Sequence, residues 1–282
     1  MQFEFPGAIG VPDGRYLARD EDGERVLVVE TVGAPAPPRR RRRRPRSAEP
    51  PGDPAPLPLT RVTAVRAHEP FESAEEAGEW LEASTGSDET VDAALAAAIG
   101  LLNRALHAQA VASADPFGAE LSAERATAVR IGHGSGKEVA AGRFAAAKAV
   151  DARSATGSKR RQRDEELRPQ ERLAAVLGGR ENLDACETLL LRARADLDAG
   201  RRREAALQLR VALEAMLVEL DNALADPDHE QDMNELRARK SEAGEAANAA
   251  LRGNLSVDEE RHVTELLKIC ERVLRRRRVL RG

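Results

Sequence analysis

Gly132-His133-Gly134-Ser135-Gly136 alternates glycine with other residues, and Lys137 follows directly. Glycine leaves backbone N–H groups unhindered, and a helix starting here would aim its dipole at the same spot. Gly132, Gly134, Gly136 and Lys137 are therefore a candidate anion site able to receive one phosphate. Neither familiar phosphate loop is met. A Walker loop carries Ser or Thr after Gly-Lys, where Glu138 stands, and a dinucleotide fingerprint follows a strand and has its third glycine one residue later. A turn joining two helices accounts for the same glycines and leaves His133 on the surface.

The second candidate is the run Arg39, Arg40, Arg41, Arg42, Arg43 and Arg44, set among prolines. On an extended tether these side chains can neutralise several phosphates of DNA or RNA, or meet an acidic partner or an anionic membrane. Two observations weaken the nucleic-acid reading. The chain has 39 Arg against 5 Lys, a bias that GC-rich coding alone produces, and no aromatics interleave the run to stack on bases.

Asp226, Asp228, Glu230 and Asp232 beside His229 have metal-ligand chemistry by type but not by spacing. A calcium loop would need Gly at Gln231 and Glu at Arg237, and a zinc-protease helix would need a second histidine. A solvated interhelical loop is expected there. Cys186 and Cys270 are too few for a disulfide framework or a four-ligand zinc site, and are expected as buried thiols on helix seams. No set of nucleophile, base and oxyanion donors is recognisable. No catalytic residue, metal site or cofactor is assigned.

The elements that must position these groups follow from pattern. Gly14 to Arg19 and Arg25 to Val32 flank Asp20-Glu21-Asp22-Gly23, a hairpin signal, and Leu59 to Ala67 is strand-like again. Residues 34–58, rich in Pro and Arg, have no apolar periodicity and are expected as a disordered excursion between strands. Ser73 and Glu76 form a capping box opening a helix that carries Ala77, Trp80 and Leu81, with Trp80 as the expected lid on the strands. Leu95, Ile99, Leu102 and Leu106 mark a central helix over 91–112. A weaker helix is expected over 119–130, and another from Ser135 to about Val150.

Beyond a polar linker at 151–166 the helical signals are stronger. Leu173, Val176 and Leu177 form a face that Gly178-Gly179 ends. Leu183, Cys186, Leu189, Leu190, Ala193 and Leu197 recur every three or four residues up to Gly200, and Arg203 to Leu224 returns as a partner. A further helix is expected over 229–251. Ser256 and Glu259 then cap a last one with Val263, Leu266, Leu267, Cys270, Val273 and Leu274 inward. In Gly200-Arg201-Arg202-Arg203-Glu204-Ala205, followed by Ala212-Leu213, the hairpin from about Leu189 to Leu220 resembles one tetratricopeptide repeat. Arg202 stands where that family usually has an aromatic, and no second copy follows at a 34-residue offset. The resemblance implies protein or peptide recognition in a helical groove.

The formal charge of −4 hides an alternation, with −4 over residues 1–33, +5 over 34–60, −8 over 61–120, +6 over 121–180 and −3 over 181–282. The 2% aromatic content leaves Ala and Leu to form the core. There is no run of 18 apolar residues and no basic-then-apolar start, so neither a transmembrane helix nor a secretory signal is expected and the expected address is cytoplasmic.

The sequence thus predicts a mainly α protein. A small N-terminal strand-plus-helix unit (1–84) precedes a central helical region (85–150) and a C-terminal antiparallel helical bundle (167–282). The expected function is non-enzymatic interaction, with the bundle binding a protein partner and the arginine run acting as a basic tether. The alternatives are nucleic-acid association through Arg39–Arg44 and, ranked last, an enzyme acting on a phosphorylated small molecule at Gly132–Lys137.

Overall fold

In the computed structural model, which describes residues 1–20, 23–33, 58–66, 70–152, 170–220 and 226–281, the chain divides into units Met1–Thr156 and Gly157–Gly282. The first unit is built on a six-stranded antiparallel sheet of β1 (Gln2–Pro6), β2 (Gly14–Asp20), β3 (Gly23–Val32), β4 (Leu59–Arg66), β5 (Ala128–His133) and β6 (Ala146–Ala149). Their spatial order is β2-β3-β4-β1-β5-β6. Alternation assigns the faces: Phe3 lies opposite Val62 on one side and Val129 on the other, and Val62 lies opposite Val29. These four, with Phe5 and Leu27, form the sheet's part of a buried cluster.

Helix α1 (Ala74–Ser84) is capped by Ser73, whose Oγ accepts the Glu76 N–H as the capping pattern requires. Helix α2 (Asp88–Ser113) opens on a reciprocal cap between Ser87 and Thr90. It places Leu95, Ala98, Leu101, Leu102 and Leu106 on the sheet, in steps of three or four apart from the adjacent pair Leu101 and Leu102. This helix is the principal cover. Trp80 is only partly buried and packs against Phe71 with the rings tilted.

The mainly α expectation is therefore overturned by a sheet that continues through β1, β5 and β6. The expected helices over 119–130 and 135–150 are instead a 3₁₀ turn at Ala123–Arg125, strand β5, a short α3 (Gly136–Ala140) and strand β6. The reason is tertiary. The β6 sequence Ala-Ala-Lys-Ala has no β-branched residue and locally prefers a helix. It is extended because β5 pairs with it, and β5 in turn is held by β1, which lies more than 120 residues earlier in the chain.

The second unit is helical: α4 (residues 170–177), α5 (Ala185–Asp198), α6 (Arg202–Glu219), α7 (Pro227–Ala238), α8 (Lys240–Arg252) and α9 (Val257–Arg281). Gly200 at φ 75° makes the tight turn between α5 and α6, a left-handed conformation that a Cβ would strain. Ala205, Ala206 and Ala212 are buried on α6, and Ala243, Ala246, Ala247 and Ala250 on α8, so small side chains let those helices approach closely. Helix α9 packs on α5, α6, α7 and α8, burying Val263, Leu266, Leu267, Cys270 and Val273. At its start Glu259 accepts from both Ser256 N–H and Ser256 Oγ–H, which holds its carboxyl below the ordinary value.

The single helix expected over 229–251 is two helices that break at Arg239 (φ −97°, ψ 7°). The break turns Met233 and Leu236 on one side, and Ala243, Ala246 and Ala250 on the other, toward one core. Arg239 is held there by Glu242 at 2.7 Å and Glu265 at 3.1 Å. No helix among the described residues is long and apolar enough to cross a membrane.

Candidate functional site

The Gly132–Lys137 segment joins β5 to α3 rather than one helix to another. Gly132 is a strand residue opposite Ala147. A Cβ on it would meet the Ala146 carbonyl oxygen at 2.5 Å, Ala147 Cβ at 2.6 Å and Phe144 Cδ1 at 2.7 Å. On Gly134 it would meet Ala145 N and Val139 Cγ2 at 3.0 Å, while Gly136 faces open space. None of the three has a positive φ, so close approach is the reason for glycine at the first two. Ser135 is the N-cap residue of α3 but its hydroxyl makes no cap bond to the helix backbone, donating instead to Glu138 Oε2 at 3.1 Å. A carboxylate thus stands at the start of this five-residue helix, with Lys137 exposed beside it.

Gly132→Ala should lower the stability of the first unit by about 1–3 kcal/mol through overpacking, measured by denaturant unfolding. Gly136→Ala should leave it nearly unchanged. Equal effects at the two positions would contradict this placement of β6.

Beneath α3, Gln2 Nε2 donates to Thr63 Oγ1 at 2.9 Å and to the Val139 carbonyl at 3.5 Å, both groups buried. Arg61 reaches from β4 to the Ala141 carbonyl at 3.1 Å and packs under Gly142, which takes φ 78°. Glu4 sits between Arg61 (3.6 Å) and Arg130 (3.3 Å). These charges lie on three adjacent strands, β4, β1 and β5, and their pairing ties α3 and its loop to the sheet.

In the second unit the acidic segment is not a solvated loop. Asp226 is the N-cap of α7, accepting the His229 N–H at 2.8 Å, and His229 and Asp232 are buried. A helix, and not a loop, forms because Pro227 fills the first turn, where its missing N–H costs nothing. Asp232 accepts from Arg272 at 2.8 Å and from Arg276 at 2.7 Å, and Arg276 also reaches Asp228 at 3.5 Å. Arg277 pairs with Asp184. The basic end of α9 is thus partly spent on carboxylates of α7 and of the residue that precedes α5. Among the described residues no group of three His, Cys, Asp or Glu is placed to hold a metal ion.

Both cysteines are buried and free. Burial, with the Glu219 carboxylate next in importance, pushes the Cys186 thiol up to about 12, and burial does the same to Cys270. Neither is an available thiolate at neutral pH. Glu219, which the sequence pattern did not single out, also accepts the Ala185 and Cys186 N–H groups at 3.2 and 3.0 Å. The positive end of α5 is therefore occupied by a carboxylate of α6.

Helices α4, α5 and α6 and the α4–α5 connection leave large apolar side chains in solvent: Leu173, Leu177, Leu183, Leu191, Val211 and Val218. Val211 and Val218 are seven residues apart and share one face of α6. Sequence periodicity placed Leu173, Leu177 and Leu183 on packed faces. The structure leaves them exposed, and Arg172 of α4 instead pairs with Glu187 of α5 at 2.6 Å and with Glu181 of the connection at 2.8 Å. Arg39 to Arg44 lie outside the described residues. No protein family, no curated protein and no solved structure matches the chain.

Proposed function

We propose that the chain is a non-enzymatic interaction protein of the cytoplasm whose helical unit binds a protein partner through the outer side of α4, α5 and α6. One observation carries this reading. Six large apolar side chains lie on consecutive elements there, with exposures from 53% at Val211 to 79% at Leu177 and Val218, while the same helices bury an Ala- and Leu-rich seam inward. Large apolar side chains left in solvent on neighbouring elements are the material of a contact surface. The arginine run Arg39–Arg44 acts as a basic tether that adds electrostatic attraction.

The test is a variant carrying Leu191→Glu, Val211→Glu and Val218→Glu, which alters only exposed positions. It should keep its helical circular dichroism and melting temperature while losing proteins that the parent retains from nuclease-treated lysate. Retention unchanged by the three substitutions would sink the reading. The second reading, nucleic-acid contact by Arg39–Arg44, draws on their charge alone. It would instead give retention that nuclease abolishes, with a log–log salt slope that flattens when the arginines become serine, by up to ~0.9 for each phosphate no longer neutralised. Phosphate binding at Gly132, Gly134, Gly136 and Lys137 ranks third, because Glu138 supplies a negative charge at that helix start.

A further inference from the structure

Phe71 and Trp80 are two of only seven Phe, Tyr and Trp residues in the chain, and they are not in the sheet core. Their ring centroids lie 5.4 Å apart at 49°, and His133 meets Phe71 edge-on at 6.2 Å. Phe71 remains 39% exposed. The segment that carries both rings is of one sign: residues 70–103 hold eight Asp and Glu and no Lys or Arg. Glu72 follows Phe71 directly and its N–H donates to Glu76 at 2.6 Å. Glu76 precedes Trp80 by one helical turn and so stands on the same side of α1. The only ion pair on α1 among the described residues is at its other end, where Lys148 meets Glu82 at 2.6 Å.

Flat π faces beside carboxylates are what a guanidinium selects, because it stacks on an aromatic ring and donates bidentately to a carboxylate at once. We propose that this face of α1, with Phe71, Trp80, Glu72 and Glu76, is a docking surface for an arginine-rich segment, and that its occupant is the Arg39–Arg44 run of the same chain. Charge complementarity and chain length argue for that occupant. The run begins seven residues past Val32, the end of β3, and extended chain covers ~3.4 Å per residue. Arg39 to Arg44 therefore reach ~24–41 Å, more than the ~14–19 Å across the sheet from β3 to β5 and β6, on which α1 packs. Tethering also gives the run an effective concentration on the order of millimolar, above any free peptide in a dilute assay. The proposal is independent of the helical partner surface. It adds a means by which the tether is held when no polyanion competes for it.

Trp80 is the single tryptophan, so its emission reports this surface alone. The experiment titrates hexaarginine peptide, at micromolar concentrations, into the full chain and into a variant with Arg39–Arg44 replaced by Ser. The variant should show a saturable change in Trp80 emission. Its Kd should weaken at least tenfold when Glu72→Gln and Glu76→Gln are added, and at least threefold when hexalysine replaces hexaarginine. The parent should show no saturable change, because its own run holds the site, and its emission should not depend on protein concentration. The proposal is overturned if the serine variant does not bind, if the parent binds as well as the variant does, or if hexalysine binds equally. Parent emission that shifts with protein concentration would assign the run of a second copy and overturn the occupant in the same chain. Phe71→Ser gives a second test at an exposed position should the glutamine variant fold poorly.

Discussion

Leu266→Ala and Leu267→Ala should each destabilise the helical unit by about 2–5 kcal/mol. Adjacent helix positions point about 100° apart, so on a helix packed along a narrow stripe one of the two changes would cost much less than the other. Here both side chains are 0% exposed, because α9 packs on four other helices. Each truncation removes methyl groups from a seam that Leu209, Leu213 and Met216 also fill. The lost transfer energy is then joined by the cost of a cavity that rigid neighbours cannot close. The two units have separable reporters: Trp80 emission follows the first, and far-UV circular dichroism, dominated by helix, chiefly follows the second. Denaturant midpoints by circular dichroism should fall for both variants while the Trp80 midpoint holds. A loss below 1 kcal/mol at either position would mean that α9 has an open side the present packing lacks.

The second large effect belongs to Asp232. Its side chain is 8% exposed and carries two arginines from α9, so it staples the first half of the α7–α8 pair to the last helix. Replacing it with Ala leaves Arg276 without the stronger of its two carboxylates, a change that costs about 3–5 kcal/mol when both charges are fully buried. Arg272 is 48% exposed and can turn to water, which lowers the expectation to about 2–4 kcal/mol. A double-mutant cycle with Arg276→Ala isolates the pair and should return a coupling of at least ~1 kcal/mol. A coupling near zero would show that the carboxylate serves only to be solvated. If the coupling is large, Asp232→Leu paired with Arg276→Met should recover much of the loss, because well-packed apolar residues often replace a buried pair without cost.

Elements whose signals are local were legible from the residues alone. Ser73 with Glu76 and Ser256 with Glu259 announced two helix starts, and the side-chain and backbone groups that make those caps lie within four residues of one another. The β2–β3 hairpin was legible for the same reason, with Asp20 facing Gly23 across a two-residue gap. Gly200 at its positive φ and the three-to-four-residue spacing of α5, α6 and α9 belong to this class. The burial of Cys186 and Cys270 followed from that spacing.

Features whose partner is distant in the chain were settled by packing. Strand β6 is helix-forming in composition and is extended only because β5 offers it a ladder, and β5 exists because Gln2, Phe3 and Glu4 pair with it from the start of the chain. That distant pairing converted an expected helical region into two of the sheet's six strands. It also gave Gly132 a structural reason, since a Cβ there would collide with Ala146 and Phe144. Asp232 read as a solvated acid until Arg272 and Arg276, forty and forty-four residues later, were brought onto it. Leu177 and Val218, an apolar residue of a short helix and one of a long helix, look alike in sequence to the buried leucines beside them. Only the packing of the other helices decides which apolar side chains are covered and which are left exposed.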